Sequence, residues 1–419
     1  MKKILTFAAV LTALAAIMIF ASGCSGSDDE LYVYNWGEYI SDGSEGSLDV
    51  ISEFEDYYYE LTGRTITVHY TTYPSNEDMY AKISAGTSSY DVIFPSDYMI
   101  ERMISEGLLQ SINIEEVCES YGVECNYQYI DDMYRGLFFD EDGEYSIPYT
   151  YGMVGIIYNT TMVDEADVEE LLSDEDSTGW ELLWNEKYSG KILQFNNSRD
   201  GFATAQYMLG IDVNSTLESD WRTALDKLLE QKPLVQSYVM DEIFNKMESG
   251  EAAIGVYYAG DYFTMLENNE NLAFYYPTPT NVFVDCMCIP TESENPEIAA
   301  LFINYMLSEK IAVANAEAIY YASPNSLVYT NEDYIEYMGE EAMEVLYPED
   351  YNFSEELNAY AYRNLDSETL EVVSSLWEEL KISGGMSFSV YVVFGVTAVV
   401  IIAAIAAVVV RKKKRERNY

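Results

Sequence analysis

The 419-residue sequence carries 72 Asp and Glu against 22 Lys and Arg, a formal net charge of −50. That excludes a nucleic-acid-binding protein, because a duplex needs a basic footprint to replace its counterions. With 49% hydrophobic and 22% charged residues the chain is not disordered by composition, and its length supports two domains, each with a proper core.

In chain order, Met1-Lys2-Lys3, an apolar stretch over 4–20 and Ala21-Ser22-Gly23-Cys24 read as a secretory signal over 1–23. The junction resembles a bacterial lipobox with Ala21 where leucine is usual, which implies lipidation of Cys24. Ordinary cleavage beside an incidental cysteine is the alternative. Residues 24–30 are a polar tether. A first strand is predicted over 31–35. Leu48, Ile51, Phe54 and Tyr58 are spaced for a helix over 48–61 that Gly63 stops. A second strand over 65–70, a helix over 79–85 capped from Ser75, a third strand over 91–94 and a helix over 98–109 follow. This alternation argues for a parallel sheet with covered faces. Residues 145–158 read as strand segments broken by Pro148 and Gly152. Helices over 202–209 and 217–229, strands over 252–258 and 281–289, and a helix over 296–307 complete two α/β lobes. Residues 31–148 with 259–308 are expected to form one lobe, and 149–258 with 309–381 the other.

Residues 388–410 contain no charged side chain and are long enough to cross a bilayer. The basic tail 411–419 places the C-terminus in the cytoplasm, so the region between the two ends lies outside the cell. Cys118 and Cys125 are near enough in sequence to close a small loop. Cys286 and Cys288 face one side of a strand and are not expected to bond. No CxxC, HExxH or Cys/His cluster occurs, and the single histidine is His69, so no zinc site and no cofactor are expected.

Ligands of open α/β sheets bind beyond the carboxyl ends of strands. The segments expected there are aromatic and acidic: 35–39, 95–98, 197–200 and 257–261. Rings can sandwich an alkyl chain and face an ammonium, while carboxylates read its charge. Each residue also has a structural reading: Trp36 as a core aromatic, Asp261 as a helix N-cap, and Asp200 as a helix-dipole partner. Asp91 and His69 are read as structural.

In chain order, Tyr34-Asn35-Trp36-Gly37-Glu38-Tyr39, Tyr90-Asp91-Val92-Ile93-Phe94-Pro95-Ser96 and Ser146-Ile147-Pro148-Tyr149 resemble the bacterial spermidine/putrescine-binding proteins of polyamine ABC importers. Tyr258-Ala259-Gly260-Asp261, Val284-Asp285-Cys286-Met287-Cys288-Ile289-Pro290 and Ala322-Ser323-Pro324-Asn325 do the same. The resemblance covers about 31–381. It implies a two-lobed periplasmic-binding-protein fold (type II, α/β), here with one C-terminal transmembrane helix added. It also implies a non-enzymatic receptor that closes over a polyamine at the extracellular membrane face and delivers it to a permease with its ATPase. Carried over, Trp36, Tyr39 and Tyr98 are aromatic walls, with Glu38 beside them and Ser96 as a polar contact. Tyr258 stands where the family usually has tryptophan, and Asp261 and Asp200 are carboxylates for ammonium groups. Tyr238, Asp241, Phe283, Asp285 and Tyr321 are further cleft residues. Gly37 replaces a hydroxyl or acidic residue, and Asn197 stands where some spermidine binders have a second carboxylate. The rival readings are a binder of another solute on the same fold, a surface glycosidase using paired carboxylates, and an adhesin. Anion binding would need Arg, Lys or helix N-termini in the cleft, and the matched segments offer little beyond Arg199.

Overall fold

β1 (Asp29–Trp36) buries Leu31 and Val33 completely. It pairs in parallel with β2 (Ile66–Tyr73) along its whole length, and on its other edge with β3 (Val92–Ile93). The chain reaches β2 through helix Val50–Thr62, which Asp49 caps by accepting from Ser52 N and which Gly63 stops in the left-handed region at φ 72°. These details belong to a computed structural model that describes residues 29–87, 89–348 and 353–383. The expected signal, the lipidation site Cys24, the tether up to residue 28, the span 388–410 and the tail 411–419 lie outside the described residues. Among the described residues, no helix is long and apolar enough to cross a membrane.

The strands form one path, β2-β1-β3-β10-β5-β8-β6-β7. Here β5 is Ser146–Asn159, β6 Ile192–Phe195, β7 Val235–Val239, β8 Ile254–Tyr258 and β10 Val282–Pro290. The short β4 (Leu109–Gln110) hangs on β10, and β9 (Leu272–Tyr275) on β5. Two half-sheets share β5. Its first half pairs antiparallel with β10 and its second half with β8 and β9, while β6 runs parallel to both β7 and β8. Helix Ser367–Ile382 packs on Glu218–Gln231 and Ser198–Leu209, sealing a second apolar cluster around Phe202, Trp221 and Leu376.

Four expectations change. The sheet is mixed rather than parallel, because β10 and β5 run against their neighbours. The stretch 145–158 is one continuous strand. Pro148 sits at a register shift opposite Asp285/Cys286, where a missing N–H is tolerated, and Gly152 lies beneath the Phe283 ring. The helix expected to reach 109 stops at Ser105, since Gly107 turns into the left-handed region and Leu109 joins β4. Strand pairing does not follow the division expected at 259, because β9 sits on the second half-sheet and the chain returns to the first only with β10.

The bland readings of Asp91 and His69 match their surroundings. Asp91 accepts from Tyr32 N, Ser293 Oγ and Asn295 N, and His69 stacks on Tyr32 with ring centroids 4.5 Å apart. Cys118, Cys125, Cys286 and Cys288 are free thiols.

Candidate functional site

Six strand ends deliver residues to one cleft of ≈ 870 Å³. Trp36 closes β1, and Tyr73 closes β2 ahead of Glu77. Ser96, Asp97 and Tyr98 follow β3, and Asn197 and Asp200 follow β6. Asp241 follows β7, and Tyr258 and Asp261 come at and after the end of β8. This is the place where parallel α/β strands present ligands. Four of the acids, Glu77, Asp97, Asp200 and Asp261, stand in the first turn of a helix, where the macrodipole favours negative charge.

Phenol hydroxyls hold five of the seven acids that line the cleft. Tyr258 and Tyr362 each donate to Asp200 at 2.8 Å, one to either oxygen, and Asn197 Nδ2 adds a third bond at 2.6 Å. Tyr321 donates to Asp261 at 2.8 Å, Tyr39 to Asp285 at 2.7 Å, Tyr98 to Glu77 at 2.9 Å and Tyr257 to Asp241 at 3.3 Å. Among the described residues, none lining the cleft is Lys, Arg or His. Arg199, buried nearby, donates to Asn214 Oδ1 at 3.0 Å, with its guanidinium carbon 4.7 Å from the centre of the Tyr362 ring. Burial therefore dominates the titration of these acids. It pushes the Asp261 carboxyl up to about 8, with the charges of Asp241 and Glu38 adding to the rise and the Tyr321 hydroxyl opposing it. It pushes Asp285 up to about 6, and it raises Asp200 and Asp97.

Two glycines make room for this arrangement. A Cβ on Gly260 would come within 2.3 Å of the Tyr321 ring, so its absence lets that ring lie on the helix start and reach Asp261. A Cβ on Gly37 would come within 3.1 Å of Asp241 Oδ2, so the missing side chain admits a carboxylate from the other half-sheet. Glu38 follows in the left-handed region at φ 48°, an uncommon conformation for a side-chain-bearing residue and one that concentrates at ligand sites. The aromatic surface is continuous: Phe283 meets Tyr258 at 5.4 Å and Tyr321 at 6.3 Å between ring centroids, and Tyr321 meets Tyr39 at 5.0 Å.

Of the thirteen residues carried over from sequence, the structure gathers Trp36, Glu38, Tyr39, Ser96, Tyr98, Asp200, Asp241, Tyr258, Asp261, Phe283, Asp285 and Tyr321 around this cleft. Tyr238 is the exception. It does not line the cleft, and its ring packs edge-on against Trp377 with Lys381 over its face. Trp36 is half-buried, its indole N–H donating to Phe94 O at 2.7 Å with its ring in the cleft wall, so it is not a plain core residue. Asp261 caps no helix end, since Tyr258 occupies the N-cap of its helix. Asp200 keeps its first-turn position behind the Asn197 cap. Sequence reasoning missed Tyr362, Tyr257, Asp97, Glu77 and Asn281. Asp97 and Tyr257 lie inside the acidic-aromatic segments already singled out, whereas Tyr362 has no local signal and arrives through the tertiary fold.

Two half-sheets joined by strand crossings, with a cleft at their strand ends, define the periplasmic-binding-protein fold. The chain belongs to the bacterial extracellular solute-binding proteins, whose family model matches residues 50–340. It is 30% identical over 318 residues to the spermidine/putrescine-binding periplasmic protein of Salmonella typhimurium, covering 75% of this chain and 83% of that one. A solved structure from Listeria monocytogenes is 32% identical with TM-score 0.70, covering 85% of this chain and 99% of the other. The spermidine/putrescine ABC transporter substrate-binding protein of Streptococcus pneumoniae is 32% identical with TM-score 0.64 over the same shares. These relatives are binding proteins of transporters rather than enzymes.

Proposed function

We propose that this chain is a receptor that binds a polyamine of the spermidine/putrescine class and delivers it to the permease of an ABC importer. The observation that carries the reading is the charge of the cleft: buried carboxylates held by neutral phenols, with no cationic side chain among the lining residues described. Such a site attracts a polycation, stacks its methylenes on Tyr258, Phe283 and Tyr321, and pairs its ammonium groups with acids from both half-sheets. Closure of the two lobes about the β5 and β10 crossings would exclude water. Lipidation at Cys24 and a membrane span over 388–410 would hold the receptor on the extracellular face near its permease, raising the effective concentration there.

The test is calorimetric titration of the full-length protein with putrescine, spermidine and spermine, with arginine, maltose and phosphate as controls. Micromolar or tighter binding to a polyamine, weakened at least tenfold by Asp261→Asn, supports the reading. Absence of heat with every polyamine, or unchanged affinity in folded Asp261→Asn, refutes it.

A further inference from the structure

Two buried acceptor oxygens in the cleft have no hydrogen-bond partner, Asn281 Oδ1 and Asp285 Oδ1. Their residues are 4% and 5% exposed, and both line the cleft. An acceptor left unpaired in the interior is costly, and at a binding site it marks a place that a ligand donor fills. Asn281 immediately precedes β10, and strand alternation puts 281, 283 and 285 on one face, with Phe283 midway between the other two along the chain. Four residues at a rise of ~3.3 Å separate the outer two Cα atoms by ~13 Å. The backbone at Asn281 is pinned, because its carbonyl accepts from Val154 N at 3.2 Å and the neighbouring Thr280 hydroxyl donates to Val154 O at 2.6 Å.

We propose that Asn281 and Asp285 are the end stops of a ruler along β10 that selects a triamine over a four-carbon diamine. The inference rests on the polyamine reading above. At ~1.5 Å per bond, reduced by the zigzag, the five bonds between the nitrogens of a four-carbon diamine span about 6 Å. The nine bonds of the shortest triamine joining three-carbon and four-carbon segments span about 11 Å, and the two side chains close the remainder. The longer ligand gives one terminal ammonium to Asp285 and the other to Asn281, and sets its middle ammonium over the Phe283 ring, where the flanking Tyr258 and Tyr321 hold Asp200 and Asp261. The shorter one reaches Asp285 and leaves Asn281 Oδ1 unpaired. By sequence alone Asn281 stands at the start of a strand over 281–289 and is given no role in binding.

The experiment titrates the full-length protein, Asn281→Ala and Asn281→Asp with spermidine, putrescine and 1,8-diaminooctane, which has the triamine's length without its middle amine. The unaltered protein is expected to bind both long ligands at least tenfold more tightly than putrescine. Asn281→Ala should lose about tenfold for the long ligands and stay within about twofold for putrescine. Should the alanine variant fold poorly, Asn281→Asp keeps the shape and should tighten the long ligands alone. Putrescine bound as tightly as spermidine, or long ligands unaffected by either variant, overturns the ruler and leaves the polyamine receptor standing. No binding of any polyamine by the unaltered protein overturns both.

Discussion

Binding of a polyamine should expel protons from the cleft, and the number follows from two carboxyls. Burial holds Asp261 at about 8 and Asp285 at about 6 in the empty site, against a usual value of 3.8. At pH 7 Asp261 is then about 90% protonated and Asp285 about 10%, so the two acids carry about one proton between them. Ammonium groups stabilise the ionised forms, and that proton leaves as the ligand enters. The release should grow to about 1.5 at pH 6, where Asp285 is half protonated, and shrink to about 0.1 at pH 9. Affinity should accordingly rise about tenfold per pH unit between 6 and 8 and level off above. Calorimetry in phosphate and in Tris reads the number directly, as the slope of apparent enthalpy against buffer ionisation enthalpy. Asp261→Asn should cut the release at pH 7 to about 0.1. Identical heats in the two buffers at pH 7 would show that both acids are already ionised in the empty cleft and would refute the reasoning.

The same shifts act on stability with a definite sign. Both carboxyls titrate higher folded than unfolded, so the stability they contribute is full below pH about 4 and is lost as pH rises through about 6 to 8. The Tm of the ligand-free protein should fall across that window, and less so in Asp261→Asn; a flat profile in the unaltered protein would contradict the assignment. Gly260→Ala places a methyl within 2.3 Å of the Tyr321 ring. It should cost about 1–3 kcal/mol of stability and at least tenfold in affinity by freeing Asp261, and an unchanged titration would show that Tyr321 does not position that acid. Trp36→Ala should weaken binding by about 2- to 30-fold, the range of one cation–π contact, with the far-UV spectrum unchanged. Trp221→Ala, in the second apolar cluster, should cost about 3–5 kcal/mol in denaturant unfolding, and a cost under about 1 kcal/mol would contradict its place in that core.

The first half-sheet was legible because its signals are local. Leu31 and Val33 alternate, Asp49 and Gly63 bracket a helix, and Ser75 caps the next one. The crossing was not legible. Pro148 reads as a strand breaker until pairing with β10 shows the bulge in β5 that accommodates it, and 272–275, placed by sequence in the lobe with 31–148, is seen on the other half-sheet only through its pairing with β5. The site divides in the same way. Eight of the twelve carried-over residues that line the cleft lie on segments whose position at a strand end could be read along the chain, while Asp241, Phe283, Asp285 and Tyr321 came from the family resemblance alone. Tyr238, carried over by resemblance alone, sits on β7 with its ring against Trp377 and does not line the cleft. Tyr362 was missed because it lies beyond the last recognised strand, and only the packing of the C-terminal segment brings its hydroxyl to Asp200.

The excess of tyrosine, 39 against 16 Phe, acquires a physical reason in the cleft. A buried carboxylate must be hydrogen-bonded, and the usual partner, Arg or Lys, would cancel the charge that the ligand needs. A phenol donates without carrying charge. Tyr39, Tyr258, Tyr321 and Tyr362 therefore fix the directions of the buried Asp285, Asp200 and Asp261, and Tyr98 and Tyr257 those of the more exposed Glu77 and Asp241, without bringing a cation that would compete with the ligand's. The same rings present apolar faces to a methylene chain, so one residue type both orients the acids and builds the wall between them. Replacing Tyr321 or Tyr258 by phenylalanine separates these roles. The wall survives; in Tyr321→Phe the Asp261 carboxyl loses its donor and moves still further up, so affinity at pH 7 falls while affinity above pH 9 recovers much of the loss, whereas in Tyr258→Phe Asp200 keeps Tyr362 and Asn197 as donors and the loss is smaller. A loss independent of pH would show instead that the hydroxyls contact the ligand themselves.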